Sequence, residues 1–382
     1  MKQRKVCIVV ASRANYGRIK TVMQAVKDHP GLELQLIVGA SALLYRYGKV
    51  IDIIERDGFT PDAQVYFVLE GENPTTMAKS TGLAIIELAT IFERLEPDIV
   101  LTVADRFETI ATAIAGSYMN IPVAHTQGGE ITGSIDESVR HAITKLAHLH
   151  FPATRKAGER LIRMGENPDT VHVTGCPALD LINGADLSLT GIDERYGGVG
   201  APVDWEKPYL LVMQHPVTTE YRESLRQINQ TIAAVHKTQL QAVWLWPNVD
   251  AGSDAISKGL RMYREDQTPK NVHFYRNFAV EDFLRILANS ACAVGNSSSF
   301  IREGSLLGVP SVNIGTRQEG RERGKNVIDV DYDRDDIYAA IMLQLLNGEY
   351  PKNPLYGDGN AGEKIAGILV TADFKLQKKL FY

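Results

Sequence analysis

Only three cysteines, Cys7, Cys176 and Cys292, occur in the 382 residues, and no CxxC pair is among them. A disulfide framework and a zinc ribbon are therefore excluded, and a reducing cytoplasm is the expected setting. No apolar run approaches the roughly 18 residues of a membrane span. The apolar stretch that follows the basic start, Val6 to Ala11, is too short for the core of a signal peptide and reads as a first buried strand. Basic residues are not in excess: 41 Lys and Arg against 46 Asp and Glu leave a net charge of −5. Nothing here suits a nucleic-acid duplex or an anionic membrane, so an anionic ligand would be held by a few placed groups. GxGxxG, the P-loop pattern and HExxH are all missing, which counts against a dinucleotide, a P-loop nucleotide site and a zincin metal centre.

What is present is an alternation of apolar runs and helix-length segments. Strands are expected at Val6–Ala11, Leu32–Val38, Val65–Leu69, Ile99–Val103, Pro122–His125 and Leu149–Phe151. A Gly-, Pro- and Asp-rich stretch over 183–208 reads as a connection. A second series follows at Tyr209–Met213, Ala242–Trp246, Val272–Tyr275, Ala291–Val294 and Ser311–Ile314. Val- and Ile-rich strands separated by helices predict an α/β chain with parallel sheets covered on both faces. Residues 1–183 are expected to form one domain, 184–360 a second, and 361–382 a helical tail packing back on the first. Ligands of such sheets sit beyond the carboxyl ends of the strands, so the residues after each strand carry the functional expectation.

After the first strand comes Ser12-Arg13-Ala14-Asn15-Tyr16-Gly17-Arg18, read as a loop before an amphipathic helix expected over Arg18–Asp28, with Arg13 placed on the strand-to-helix turn where phosphate is readily held. The fourth strand ends in Asp105-Arg106. The densest segment runs from His125-Thr126-Gln127-Gly128-Gly129-Glu130 to His141. Its paired glycines are expected to admit a ligand close to the backbone, and Ser134-x-x-Glu137 has capping-box spacing. Asp136 then falls in a first helical turn, where the dipole is expected to lower its pKa. Four histidines, His125, His141, His148 and His150, lie near one another in sequence without metal-ligand spacing, so no metal is expected. In the second half His215 precedes Pro216, with Thr219 as an expected helix cap. Asn248 and Asp250 lie in a polar loop. Ser297, Ser298 and Ser299 meet a helix start as an anion cradle, with Glu303 one turn in and Arg317 beyond the next strand.

Taken together, SRANYG, ADRFE, HTQGGEITGSIDESVRHAITKLAH, QHPVTTE, WPNVDAGS and GNSSSFIREGSLLGVPSVNIGTRQEGRERG resemble the hydrolysing UDP-N-acetylglucosamine 2-epimerases of sialic-acid-type sugar biosynthesis. The resemblance implies two facing Rossmann-like domains of glycosyltransferase-B type with an active-site cleft between them, in a homodimer or homotetramer. It implies a UDP-2-acetamido sugar as substrate, elimination of UDP, addition of water with inversion at C2, and no metal or other cofactor. By the same resemblance Arg13, His215, Asn248, Ser297, Ser298, Glu303 and Arg317 would hold UDP and Arg106 the sugar. Asp105 and Asp136 would carry proton transfers, with His125, Gln127 and Glu130 beside them.

The chain departs from that family at Gln127, where sialic-acid-type members have Glu, and an amide cannot act as acid or base. Relatives acting on UDP-N,N′-diacetylbacillosamine in legionaminic-acid synthesis offer an alternative substrate, for which a neutral amide in the sugar site is suited. Three rival functions remain at this level: a non-hydrolysing 2-epimerase, whose motif is nearer His-x-Glu-Ala-Gly-Leu-Arg, a transferase of the same fold, and a nonenzymatic nucleotide-sugar sensor.

Overall fold

In the computed structural model, which describes residues 2–71, 73–248 and 250–381, Val249 of the WPNVDAGS loop lies outside the described residues. The first sheet contains β1 (Arg4–Val10), β2 (Leu32–Gly39), β3 (Ala63–Val65), β4 (Ile99–Val103), β5 (Val123–Thr126) and β6 (Leu149–Phe151), in the order β3-β2-β1-β4-β5-β6. The second contains β7 (Val199–Gly200), β8 (Tyr209–Met213), β9 (Gln241–Leu245), β10 (Val272–Tyr275), β11 (Cys292–Gly295), β12 (Ser311–Ile314) and β13 (Val327–Val330). Its order is β13-β12-β11-β8-β9-β10-β7, and only β7 pairs antiparallel. Both sheets carry helices on two faces, so β1, β4, β8 and β11 are apolar and buried almost throughout, as parallel central strands require. The chain is thus two Rossmann-like domains.

Each sheet has its own cores. Ile8, Val10, Leu36, Val38, Leu101 and Val103 pack under the helix Arg13–Asp28 in the first. Leu210, Val212, Trp244, Phe274 and Val294 pack under Ser224–Thr238 and Arg334–Asn347 in the second. The last helix, Ala361–Thr371, returns to the first domain and places Ile365, Ala366 and Leu369 in that core. Asp180 starts this helix by accepting from Ala361 N–H at 2.9 Å and Gly362 N–H at 2.7 Å, and it also accepts from the Thr21 hydroxyl. Where the chain crosses between domains, Ala153, Cys176, Leu179, Ile301 and Tyr356 form a shared apolar cluster.

Three local expectations change. The first helix begins at Arg13, not Arg18, with the Ser12 hydroxyl accepting from Asn15 N–H. The third strand is Ala63–Val65, with Tyr66 to Leu69 outside any strand. Thr219 caps nothing, since a 3-10 turn over Thr218–Glu223 leads into the next helix and Glu223 stands at its start. Among the described residues no helix is long and apolar enough to cross a membrane.

Candidate active site

The carboxyl ends of the two sheets face each other across a cavity of about 920 Å³. Arg13, Arg18, Asp105, Arg106 and Asp136 line it from the first domain, and His215, Asn248, Ser297, Ser298, Glu303 and Arg317 from the second. The domains are in direct contact around it. Arg13 donates to Asn277 Oδ1 at 2.6 Å, Arg18 to Ser298 Oγ at 2.5 Å, and Gly133 N–H to the Arg317 carbonyl at 3.2 Å. Arg106 Nη2 lies 3.0 Å from Asp250 Oδ1.

Two carboxylates on this surface have opposite electrostatics. Asp105 follows β4 through Ala104, whose φ of 61° turns the chain sharply at the strand tip. Burial resists its ionisation, but Arg140, Arg18 and Arg321 outweigh that cost and hold it far below the usual carboxylate range. Arg140, fully buried, donates to Asp105 Oδ2 and, at 2.6 Å, to the Glu130 carbonyl. Asp136 is the second residue of the helix Ile135–Leu146, capped by the Ser134 hydroxyl. Its pKa is raised to about 6 by burial and then by the Asp105 charge, with Arg317, whose Nη2 is 3.8 Å away, opposing. The expected lowering by the helix dipole is overturned here, because burial beside an ionised neighbour outweighs a partial charge. One cleft thus holds an ionised carboxylate and one poised near neutrality, an arrangement fitted to proton transfer.

The second-domain wall is rich in hydrogen-bond donors. Asn296 accepts from His215 N–H at 2.7 Å and donates to the His215 carbonyl at 2.8 Å, locking the β8 and β11 tips together. His215 Nδ1 accepts from Asn248 N–H at 3.2 Å, which leaves the ring proton on Nε2. Burial, and then Arg317, Arg13, Arg106 and Arg18, hold this imidazole neutral. Ser297 caps the helix Ser298–Leu307, whose start presents hydroxyls and amides to the cavity. Glu303 is buried on the same wall with its pKa raised by burial, and Glu303 Oε2 has no hydrogen-bond partner among the described residues.

The remaining predicted residues stand behind the wall. His125 is fully buried, its Nε2 2.7 Å from the Ala104 carbonyl, and burial lowers its pKa to about 3. It supports the β4 tip and does not line the cavity. Gln127 is also fully buried and donates to Cys176 Sγ at 3.1 Å, so its amide is not at the cavity surface either. Glu130 is clamped between Arg302, at 2.6 Å, and Arg321. Burial resists its ionisation, but these arginines lower its pKa to about 2, unsuited to a proton carrier. The glycine pair also has a different use. A side-chain carbon on Gly129 would meet the Ala157 carbonyl at 2.3 Å, so the close approach is to a neighbouring helix. The histidines form no metal cluster among the described residues, and His150 bonds Glu166 at 3.0 Å. Sequence reasoning left out Arg18, Asn296, Arg302 and Arg321 as site residues. The hints were local ones: Asn296 and Arg302 lie within GNSSSFIREG, Arg321 lies in GRERG shortly after Arg317, and Arg18 comes directly after SRANYG.

Two facing Rossmann-like domains with a donor-lined cleft and a carboxylate pair between them form an enzyme-like architecture of glycosyltransferase-B type. Residues 24–370 match the family model for UDP-N-acetylglucosamine 2-epimerase, and the chain belongs to that family of UDP-sugar 2-epimerases. It is 36% identical over 369 residues, 96% of each chain, to the UDP-N,N′-diacetylbacillosamine 2-epimerase (hydrolyzing) of Legionella pneumophila. It is 32% identical to the UDP-N-acetylglucosamine 2-epimerase of Neisseria meningitidis, over 94% of this chain and 92% of that one. The fold is shared with the Methanocaldococcus jannaschii UDP-GlcNAc 2-epimerase solved with UDP-GlcNAc and UDP. The TM-score is 0.80 at 17% identity, over 96% of this chain and all of that one.

Proposed function

We propose that this protein is a hydrolysing 2-epimerase that takes a UDP-2-acetamido sugar, eliminates UDP and adds water to release the free 2-epimeric sugar. The observation that carries the reading is the pairing of a firmly ionised Asp105 with an Asp136 whose pKa is raised to about 6, opposite a donor-lined wall. UDP would lie with its diphosphate between Arg13, His215 Nε2–H, Arg317 and the Ser297–Ser298 helix start, and with its ribose hydroxyls on the free oxygen of Glu303. Asn248 would hold His215 in the donating tautomer, and Arg106 would face the sugar. Donors placed there stabilise the charge that develops as the C1–O bond breaks.

Asp136 is the better base of the two. Its pKa near 6 combines substantial ionisation at neutral pH with useful basicity, whereas Asp105 is too strongly held by arginines to accept a proton readily. In this mechanism Asp136 removes the C2 proton as UDP leaves. Asp136 then releases that proton to solvent, and the Asp105 charge keeps it basic. In the hydration step a solvent proton adds to C2 on the opposite face, and the water that adds at C1, hydrogen-bonded to Asp105, gives up its own proton to solvent.

The HTQGGE segment and the hydrolysing relative at 36% identity support hydrolysis over return of UDP to C1. That relative also favours UDP-N,N′-diacetylbacillosamine over UDP-GlcNAc. The amide of Gln127 adds nothing to this choice, because it bonds Cys176 behind the cavity wall. A cytoplasmic homodimer or homotetramer completes the proposal, and light scattering checks the assembly. The function is tested by incubating the protein with each sugar nucleotide in D2O. One of them should give free UDP and a 2-epimeric sugar carrying deuterium at C2. Neither product from either substrate refutes the reading.

A further inference from the structure

Beside the main cleft lies a second chamber of about 340 Å³, and the two share one lining residue, Asp136. Its walls are Met77 and Ala78 on the helix Pro74–Leu95, Phe107 on the helix Phe107–Tyr118, and Ile135 and Val139 on the helix that carries Asp136. Ala251 closes it from the second domain. These walls are almost wholly apolar. The polar lining residues are Asp136, Asp250 in its pair with Arg106, Thr81, whose hydroxyl donates to the Met77 carbonyl, Thr219, and Thr218, whose buried hydroxyl has no hydrogen-bond partner among the described residues. A charged sugar phosphate has no counter-charge to meet here, and a sugar hydroxyl would lose its hydrogen bonds to water without replacement. An apolar group that carries one amide fits both features.

We propose that this chamber houses the acyl end of the sugar's 2-acylamino group, with the Thr218 hydroxyl available to its amide. The inference rests on the reading of the substrate as a UDP-2-acetamido sugar. It follows from what Asp136 does in that reading: a carboxylate that takes the proton from C2 lies against that carbon, and the acylamino group is bonded to the same carbon. The chamber that Asp136 also lines is therefore within reach of that substituent. Inversion at C2 also swings this group from one face of the ring to the other, so it needs a space larger than itself. The chamber volume exceeds what one acetyl methyl fills, which predicts tolerance of longer acyl chains.

The test compares kcat/KM for UDP release from sugars bearing N-acetyl, N-propanoyl and N-butanoyl groups at C2, on the parent sugar that turns over. The wild type should accept butanoyl within about tenfold of acetyl, since one methylene in an apolar site changes kcat/KM by ~10-fold or more only when it does not fit. Ala251→Leu, which fills the chamber, should lower the butanoyl-to-acetyl ratio by about tenfold or more. Met77→Ala, which enlarges it from a half-buried position, should raise that ratio, and it guards against misfolding of the first variant. Ratios unchanged in both variants overturn the chamber assignment while leaving the activity in place. No UDP release by the wild type from any of these sugars overturns the activity and this inference together.

Discussion

At Gly133 the two domains meet backbone to backbone beside the cleft. Its N–H donates to the Arg317 carbonyl at 3.2 Å, and a side-chain carbon built on it would lie 1.9 Å from the Thr316 carbonyl oxygen. Gly133→Ala therefore cannot keep the closed arrangement. Ordinary contact returns only after a retreat of about 1.5 Å by one domain, which also breaks the hydrogen bond. The clash falls between the domains and not in either core, so the thermal melting point should move by a few degrees at most. Catalysis should suffer far more, because displacing groups by ~1 Å from a productive geometry costs on the order of 10²-fold. That loss in kcat/KM corresponds to about 2.7 kcal/mol of transition-state stabilisation. UDP affinity should change much less, since Ser297, Ser298, His215 and Glu303 all stay on one domain. A second signature follows from Arg317, which restrains the pKa of Asp136. Moving it away should shift the acid limb of the pH profile upward. The assay is steady-state UDP release across pH, with calorimetry for UDP binding. A kcat/KM within about twofold of wild type refutes the closure argument. A collapse of the melting point with the loss of activity also refutes it, since the glycine would then serve folding.

The carboxylate pair gives a pH prediction. Activity should rise with pH through an apparent pKa near 6, as Asp136 loses its proton. Asp105→Asn removes a like charge, favours ionised Asp136 and should move that limb down by about one unit; a limb that stays put disconnects the two residues. Glu130→Gln strands Arg302 and Arg321 without their buried counter-charge and should cost about 3–5 kcal/mol in urea unfolding at pH 7. The same depressed pKa means that the Glu130 contribution is full above pH ~4.5 and fades as the pH falls toward 2, which an acid-unfolding curve would register. Asp180→Ala uncaps the last helix and should cost about 1–2 kcal/mol, read as a lowered denaturant midpoint.

The sheet pattern was legible because parallel central strands are apolar on both faces, so runs such as IVLTV over Ile99–Val103 and YLLVM over Tyr209–Met213 announce themselves without alternation. The start of the first helix was not legible. Asn15 and Gly17 read as loop residues, yet Gly17 is helical, and a side-chain carbon on it would meet Val280 of the other domain at 3.1 Å. Its glycine answers to a neighbour distant in sequence. The cleft residues after each strand were found by position and residue type, whereas the burial of Arg140, Arg302 and Arg321 was not. Arginine is ordinarily a surface residue, and burial of these three is decided by carboxylates from other segments. For the same reason sequence could not separate Asp105 and Asp136 by protonation state, a difference that arises from which guanidinium groups the fold gathers around each.

The return of Ala361–Thr371 to the first domain sets an order on how the protein is made. Ile365, Ala366 and Leu369 belong to the core beneath β1, but they emerge from the ribosome only after every strand of the second sheet. The domain begun first is therefore completed after its neighbour. The second sheet can close while the first still lacks a wall, and the cleft can form only when this helix has docked.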